Sequence, residues 1–209
     1  MNCLFQIGPE AQVAELTDTD EIKGLTQVLE DVARRLGWQP GCQLRGCQPV
    51  TRHLAVLVQG EVIGGLQLVT PLDAGRFAFR SVWPDAVVSD AITAHVPILA
   101  LREEYRGRFG LFWPLCVELW RCCCAQGVQT IVLEATPATL KLYQRLGWPL
   151  EVVGELRPHW GEDCCLCRMN VQAVAVDLSV KARKSQTYRL LTEQAYRPGL
   201  ISDQFDLPD

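Results

Sequence analysis

The sequence predicts a single mixed α/β domain, on three observations. Its 209 residues sit just above the ~100–200 of an average domain, so one domain with decoration is expected rather than two. Hydrophobic residues make up 48% and charged residues 21%, enough apolar side chains for a real core and too many for a disordered chain. Helix-periodic segments alternate with short aliphatic runs in the order α-ββ-β-loop-α-β-α-β, with no internal repeat.

Taken in order, Ile22, Leu25, Val28, Leu29, Val32 and Leu36 recur at three- and four-residue steps. That spacing predicts an amphipathic helix from Asp18 to Leu36, capped by Thr17 or Thr19. Residues 38–49 hold two glycines, two prolines and two cysteines and read as a loop. His53–Val58 and Glu61–Val69 are aliphatic strands joined by a tight Gln59-Gly60 turn. Gly64-Gly65 inside the second strand predicts a bulge or a close backbone approach. Residues 71–90, with Arg76, Arg80, Trp83 and Pro84, read as strand or loop.

Thr93–Leu101 is the next strand, and Pro97 within it demands a bulge or a place where no ladder donor is needed. Residues 103–110 form a polar loop containing glycine. Leu111–Ala125, with only Glu118 and Arg121 charged, reads as a buried helix with Pro114 in its first turn. Thr130–Ala135 is a strand, Ala138–Leu146 a helix ended by Gly147, and Leu150–Gly154 extended. Glu162–Val176 reads as an interrupted strand and Val180–Tyr196 as a basic, polar helix, followed by an acidic tail from Ser202. The expected organisation is one domain over residues 1–178 and a helix-and-tail extension over residues 179–209.

Charge and cysteine spacing narrow the function classes. The net charge of −4 has the wrong sign for a protein that coats nucleic acid. No segment reaches the ~18 apolar residues of a membrane span, and the first residues lack a basic stretch followed by an apolar run, so a cytoplasmic protein is expected. Of the ten cysteines, Cys122, Cys123 and Cys124 are adjacent in a helix and point about 100° apart, so they cannot converge on one metal. Cys164 and Cys167 have C-x-x-C spacing without a second pair. Free thiols acting as small core residues are expected, and no metal.

The stretch richest in chemistry is strand, then Arg106-Gly107-Arg108-Phe109-Gly110, then a hydrophobic helix. It sets glycine-bearing backbone N–H groups and two arginines at a helix N-terminus, an arrangement that binds anions such as a pyrophosphate. Together, LALREEYRGR, the helix, TIVLEA and LKLYQRLGW resemble the GCN5-related N-acetyltransferase superfamily over residues 53–167. The resemblance implies a mixed, mostly antiparallel sheet flanked by helices, with the first helix pair of the family condensed into one. The loop departs from the usual Arg-Gly-x-Gly-x-Gly/Ala pattern by lacking the middle glycine and one residue. In this it is similar to the subgroup of N-acyl amino acid synthases and acyl-homoserine lactone synthases, as are GEVIGGLQLVTP and Trp83-Pro84. The arginine and Glu-x-x-Arg pair of the lactone synthases correspond to Gln67, His95 and Ile98, which points away from lactone synthesis.

The resemblance further implies an acyl-thioester donor, on coenzyme A or acyl carrier protein, whose phosphopantetheine arm pairs with the strand at Leu99 and Leu101. Its phosphates would meet Arg106, Gly107, Arg108, Phe109 and Gly110. The acceptor would be the primary amine of an amino acid or another small molecule, attacking the thioester directly, so no cysteine nucleophile is required. His95 is the expected base, since an imidazole titrates near ~6.5. Tyr143, in LYQRLGW, is the expected proton donor to the leaving thiolate. Gln67, Trp83 and Glu134 are expected substrate contacts, Glu134 orienting an ammonium, and His159-Trp160 an acceptor-pocket wall. Trp83, Phe109, Phe112 and Trp113 are expected either to floor an acyl tunnel or to fill the core. Rival readings are an ordinary acetyl-coenzyme A N-acetyltransferase and a degenerate thioester-binding module.

Overall fold

A computed structural model describes residues 1–7, 9–39, 51–70, 77–88, 93–107, 109–146 and 148–182. The elements in chain order are β1 (Asn2–Gln6), β2 (Ala11–Leu16), α1 (Thr19–Arg35), β3 (Thr51–Val58), β4 (Glu61–Val69) and β5 (Thr93–Leu101). They continue as α2 (Phe109–Ala125), β6 (Thr130–Ala135), α3 (Pro137–Leu146), β7 (Leu150–His159), β8 (Glu162–Asn170) and α4 (Val171–Ala182). The eight strands form one sheet in the order β1-β2-β3-β4-β5-β6-β8-β7. Every neighbouring pair is antiparallel except β5 and β6.

Helix α1 covers one face, where Leu25, Leu29 and Val32 pack on Ala14, Leu16, Ala55, Leu57, Ile98 and Ala100. Its cap is Asp18, not either flanking threonine. The Asp18 carboxylate accepts from the backbone N–H groups of Asp20 at 2.8 Å and Glu21 at 3.3 Å, satisfying two of the helix's orphan donors. Helix α2 covers the other face and buries Trp113, Leu115 and Trp120 in the main core. Because α2 begins at Phe109, Pro114 stands in its second turn, not its first, and has no N–H to offer the Gly110 carbonyl. Trp120 Nε1 donates to the Val171 carbonyl at 2.9 Å, tying α2 to the start of α4.

The β3–β4 hairpin turns through Gln59 at φ 52° and Gly60 at φ 82°, the paired positive angles that match the twist of its strands. Val56 pairs with Gly64 but Leu57 with Val62, so Ile63 is the extra residue of a bulge. At Gly65 a Cβ would lie 2.1 Å from the Leu54 carbonyl oxygen, so here the glycine permits close backbone approach.

Other expectations change. Strands β1 and β2 precede α1 with no forewarning. Residues 150–159 form one ten-residue strand where only the first half was expected. The second half of the expected strand Glu162–Val176 is helix: the Asn170 side chain accepts from Ala173 N–H at 3.0 Å and starts α4 at Val171, not Val180. The expected boundary at 178/179 falls within α4. Residues 183–209, with the rest of the expected basic helix and the acidic tail, lie outside the described residues, as do most of the loop at 38–49, residues 71–76, Arg108 and Gly147. Among the described residues no helix is long and apolar enough to cross a membrane. Cys116, Cys122, Cys123, Cys164 and Cys167 are buried free thiols. Burial pushes the Cys122 and Cys164 thiols up to about 11, which suits packing and disfavours the thiolate.

Candidate active site

The site grows from a place where the sheet comes apart. Strands β5 and β6 pair in parallel only from Thr93/Thr130 to Val96/Leu133. The next residue of β5 is Pro97, which has no N–H to continue the ladder. Backbone direction follows from two hydrogen bonds. Arg102 N–H donates to the Ile63 carbonyl of β4 at 2.9 Å, whereas the Leu101 carbonyl points away from β4 and accepts from Arg106 Nε at 3.1 Å. By strand alternation, Pro97, Leu99 and Leu101 turn their backbone groups toward the gap left by β6. The gap opens into a cleft between β5, β6, α3 and the β7–β8 hairpin.

The apolar lining of the cleft includes Leu99, Cys116, Leu119, Leu133, Leu150 and Met169 together with Trp148. Polar groups line it as well. Thr136 and Thr139 stand at the N-terminus of α3, where Thr136 Oγ1 accepts from Thr139 N–H at 3.2 Å. Tyr143 follows one turn later on the same helix and stacks on Phe112, with centroids 5.9 Å apart. Burial raises the Tyr143 pKa well above tyrosine's ordinary value, which keeps the phenol protonated as a proton donor requires.

Glu134 is the carboxylate of the cleft. It lies two residues beyond Val132, which pairs with His95 across β5 and β6, so His95 and Glu134 project from the same face. The His95 Nε2 meets both carboxylate oxygens, at 2.9 and 3.1 Å. His159 Nε2 lies 3.8 Å from Glu134 Oε1, too far for a hydrogen bond. Burial pushes the His159 pKa down, opposed by the Glu134 charge. His159 stacks on Trp160 at 5.0 Å and meets Trp83 at 5.5 Å.

The expected site residues divide accordingly. Leu99, Glu134 and Tyr143 line the cleft, as do His159 and Trp160. His95 does not: it is wholly buried behind Glu134, with Phe77 and Phe79 edge-on to its ring at 5.8 and 5.2 Å. Gln67 is buried on β4 in register with Ile98. Trp83 is buried, donates through Nε1 to the Glu155 carbonyl at 2.8 Å, and backs His159 from outside the cleft. Of the aromatic residues expected to floor a tunnel or fill the core, Trp113 packs on Trp148 at 5.2 Å within the core. Gly107 has φ 75° and leads into α2 at Phe109, with Arg106 exposed beside it. Sequence reasoning missed the Phe77–Phe79 cover of His95 and the cleft wall from Trp38, Trp148 and Glu162.

A sheet that splays after a short parallel pairing, with a polar helix start facing the gap, has the fold of the GCN5-related N-acetyltransferases in the form shared with autoinducer synthases. No protein-family model matches the sequence, and no curated protein matches it by sequence. Solved structures do match by fold. FeeM, an N-acyl amino acid synthase from uncultured soil microbes, superposes with a TM-score of 0.69 over 80% of this chain and 94% of its own, at 11% identity. The coenzyme A-dependent acyl-homoserine lactone synthase BjaI gives 0.64 over 92% of each chain at 13% identity. An acyl-CoA N-acyltransferase from Pseudomonas aeruginosa gives 0.56 over 76% of this chain and 99% of its own, at 15% identity.

Proposed function

We propose that this chain is an N-acyltransferase that moves a long acyl group from a phosphopantetheine thioester, on coenzyme A or acyl carrier protein, to the primary amine of an amino acid or other small molecule. The observation that carries the reading is the edge of β5 at Pro97 and Leu99, beyond its pairing with β6, lining one cleft with a carboxylate, Glu134, and a protonated phenol, Tyr143. An extended pantetheine arm hydrogen-bonds to such an edge as an added strand would. Phosphates would then reach Gly107, Gly110 and the arginines at the N-terminus of α2. The apolar lining from Leu99, Leu133 and their neighbours favours an acyl chain longer than acetyl. The likeness to FeeM, an N-acyl amino acid synthase, and BjaI, an acyl-homoserine lactone synthase, supports the same class.

In this proposal Glu134, rather than His95, accepts the proton of the incoming ammonium, because Glu134 borders the cleft and His95 does not. His95 is a positioning residue: its Nε2–H holds the carboxylate from behind. The freed amine attacks the thioester carbonyl carbon, forming the C–N bond. The C–S bond then breaks, and the leaving sulfur takes the Tyr143 proton, which the phenol regains from the new amide nitrogen by way of solvent. Glu134 releases its proton to water, so the balance is one amide, one thiol and one proton from one ammonium and one thioester.

The test is mass spectrometry of acetyl-coenzyme A, palmitoyl-coenzyme A and palmitoyl-acyl carrier protein, each with and without an amine mixture. Amine-dependent loss of palmitate with a new acylated product is the expected result. A donor held by acyl carrier protein would also lose rate steeply with salt, because that carrier is acidic. Turnover of acetyl-coenzyme A alone would replace this reading by ordinary acetyl transfer, and silence across the panel by a thioester-binding module.

A further inference from the structure

Resting on that reading and deepening it, we infer that the acceptor is an amine with no carboxylate beside its nitrogen, the nitrogen bridging Glu134 Oε1 and His159 Nε2 in the cleft that Trp38 and Trp160 border. Four observations converge on this wall of the cleft. First, His159 is nearly fully buried, yet its Nε2 has no hydrogen-bond partner among the described residues. Glu134 Oε1 lies 3.8 Å from it. A single N–H-bearing nitrogen at ordinary hydrogen-bond distance from both atoms closes that gap, giving one proton to each.

Second, the electrostatics favour a cation. Among the described residues lining the cleft are two carboxylates, Glu134 and Glu162, and no lysine or arginine. Both carboxylates act on the same spot: each raises the Cys164 thiol, beyond the effect of its burial. Arg157, on the adjacent strand, is already committed, its guanidinium donating to Glu155 and to the Val82 carbonyl. A carboxylate carried on the acceptor would enter this negative field with nothing among these groups to neutralise it.

Third, the flanking surfaces are aromatic. Trp38 and Trp160 both border the cleft, with centroids 6.3 Å apart and planes inclined at 52°, faces that attract an organic cation and an aromatic or alkyl body alike. Trp38 is held there by its backbone: Gln39 N–H donates to the Trp160 carbonyl at 3.0 Å. Fourth, His95 keeps Glu134 available as an acceptor. It engages the carboxylate through Nε2 alone, at 2.9 and 3.1 Å, and its Nδ1 has no hydrogen-bond partner among the described residues.

The experiment compares amines that differ only by a carboxylate: tyramine with tyrosine, tryptamine with tryptophan, cadaverine with lysine. Binding to the full chain is read by calorimetry, independent of turnover, and acylation by mass spectrometry with palmitoyl-coenzyme A. The expected result is at least tenfold tighter binding and tenfold higher kcat/KM for the amine of the best pair. Glu134→Gln should abolish that binding, and Glu162→Gln, at the exposed end of the hairpin, should narrow the preference severalfold while circular dichroism stays unchanged. Equal or better use of the amino acid overturns the inference and leaves acyl transfer standing. Selective amine binding without any acylated product upholds the inference and sinks the proposed reaction. No binding of any amine overturns the inference.

Discussion

Gly154 sits on β7 directly under Trp83, and replacing it by alanine tests how tightly the wall behind His159 is built. A Cβ at this position would lie 2.5 Å from Trp83 Cδ1 and 2.8 Å from Leu166 Cβ. The first contact is about 0.9 Å short of the 3.4 Å at which ordinary contact begins. The indole is rigid and almost fully buried, so it must shift as a body. Overpacking of this kind costs about 1–3 kcal/mol. The shift also stretches the 2.8 Å bond from Trp83 Nε1 to the Glu155 carbonyl, adding about 1 kcal/mol. Gly154→Ala is therefore expected to destabilise the fold by about 2–4 kcal/mol. Gly24 is the control: it lies on the exposed face of α1 with nothing within 4 Å of a new Cβ, so Gly24→Ala should stabilise by about 0.5–1 kcal/mol. Urea unfolding followed by far-ultraviolet circular dichroism measures both. A Gly154→Ala protein within about 0.5 kcal/mol of the parent would refute the packing argument.

Glu134→Gln should lower kcat/KM for acyl transfer about 10²–10⁴-fold, as loss of a general base does, and an unchanged rate would remove Glu134 from the mechanism. Tyr143→Phe should lower kcat about 10²-fold with little change in donor affinity, measured by single-turnover kinetics. Burial pushes the pKa values of His53 and His159 below their ordinary 6.5. The unfolded chain therefore takes up protons that the folded rings refuse, and stability should fall as pH drops below about 6.5 and level off above it. Thermal melts from pH 5 to 8 would show this slope, and His53→Gln/His159→Gln should flatten it. A double variant with the parent's slope would show that other groups carry it. Asp18→Ala should cost about 1 kcal/mol in urea unfolding by removing the α1 cap.

Elements whose signal is local were legible in the sequence. The spacing of Leu25, Leu29 and Val32 marks α1, and Gln59-Gly60 marks the hairpin turn. Pro97 announces a position without a ladder donor, although not that a strand departs there. Elements that depend on their neighbours were not. Val171, Ala173 and Val174 continue the apolar alternation of the strand before them, and the Asn170 cap and the contact with Trp120 make them helical. The candidate site was legible in part for the same reason. Tyr143 carries a local motif, and Glu134 ends a clear strand. The pairing of Glu134 with His95, 39 residues apart, arises from the parallel register of β5 and β6. His159 reaches the carboxylate only because β7 runs on to residue 159, which its charged and proline-bearing second half concealed.

The departure of β6 from β5 leaves a binding edge written in main-chain atoms. Such an edge asks little of side-chain identity beyond a residue that cannot extend the ladder and neighbours small enough to leave the gap open. Sequences can therefore drift far while the gap keeps its shape, which accounts for superpositions over most of the chain at 11 to 16% identity. In a fold of this kind, superposition of backbones reports the gap itself, and the side chains on the wall opposite it, among them Trp38, Trp160 and Glu162, are free to differ without disturbing it.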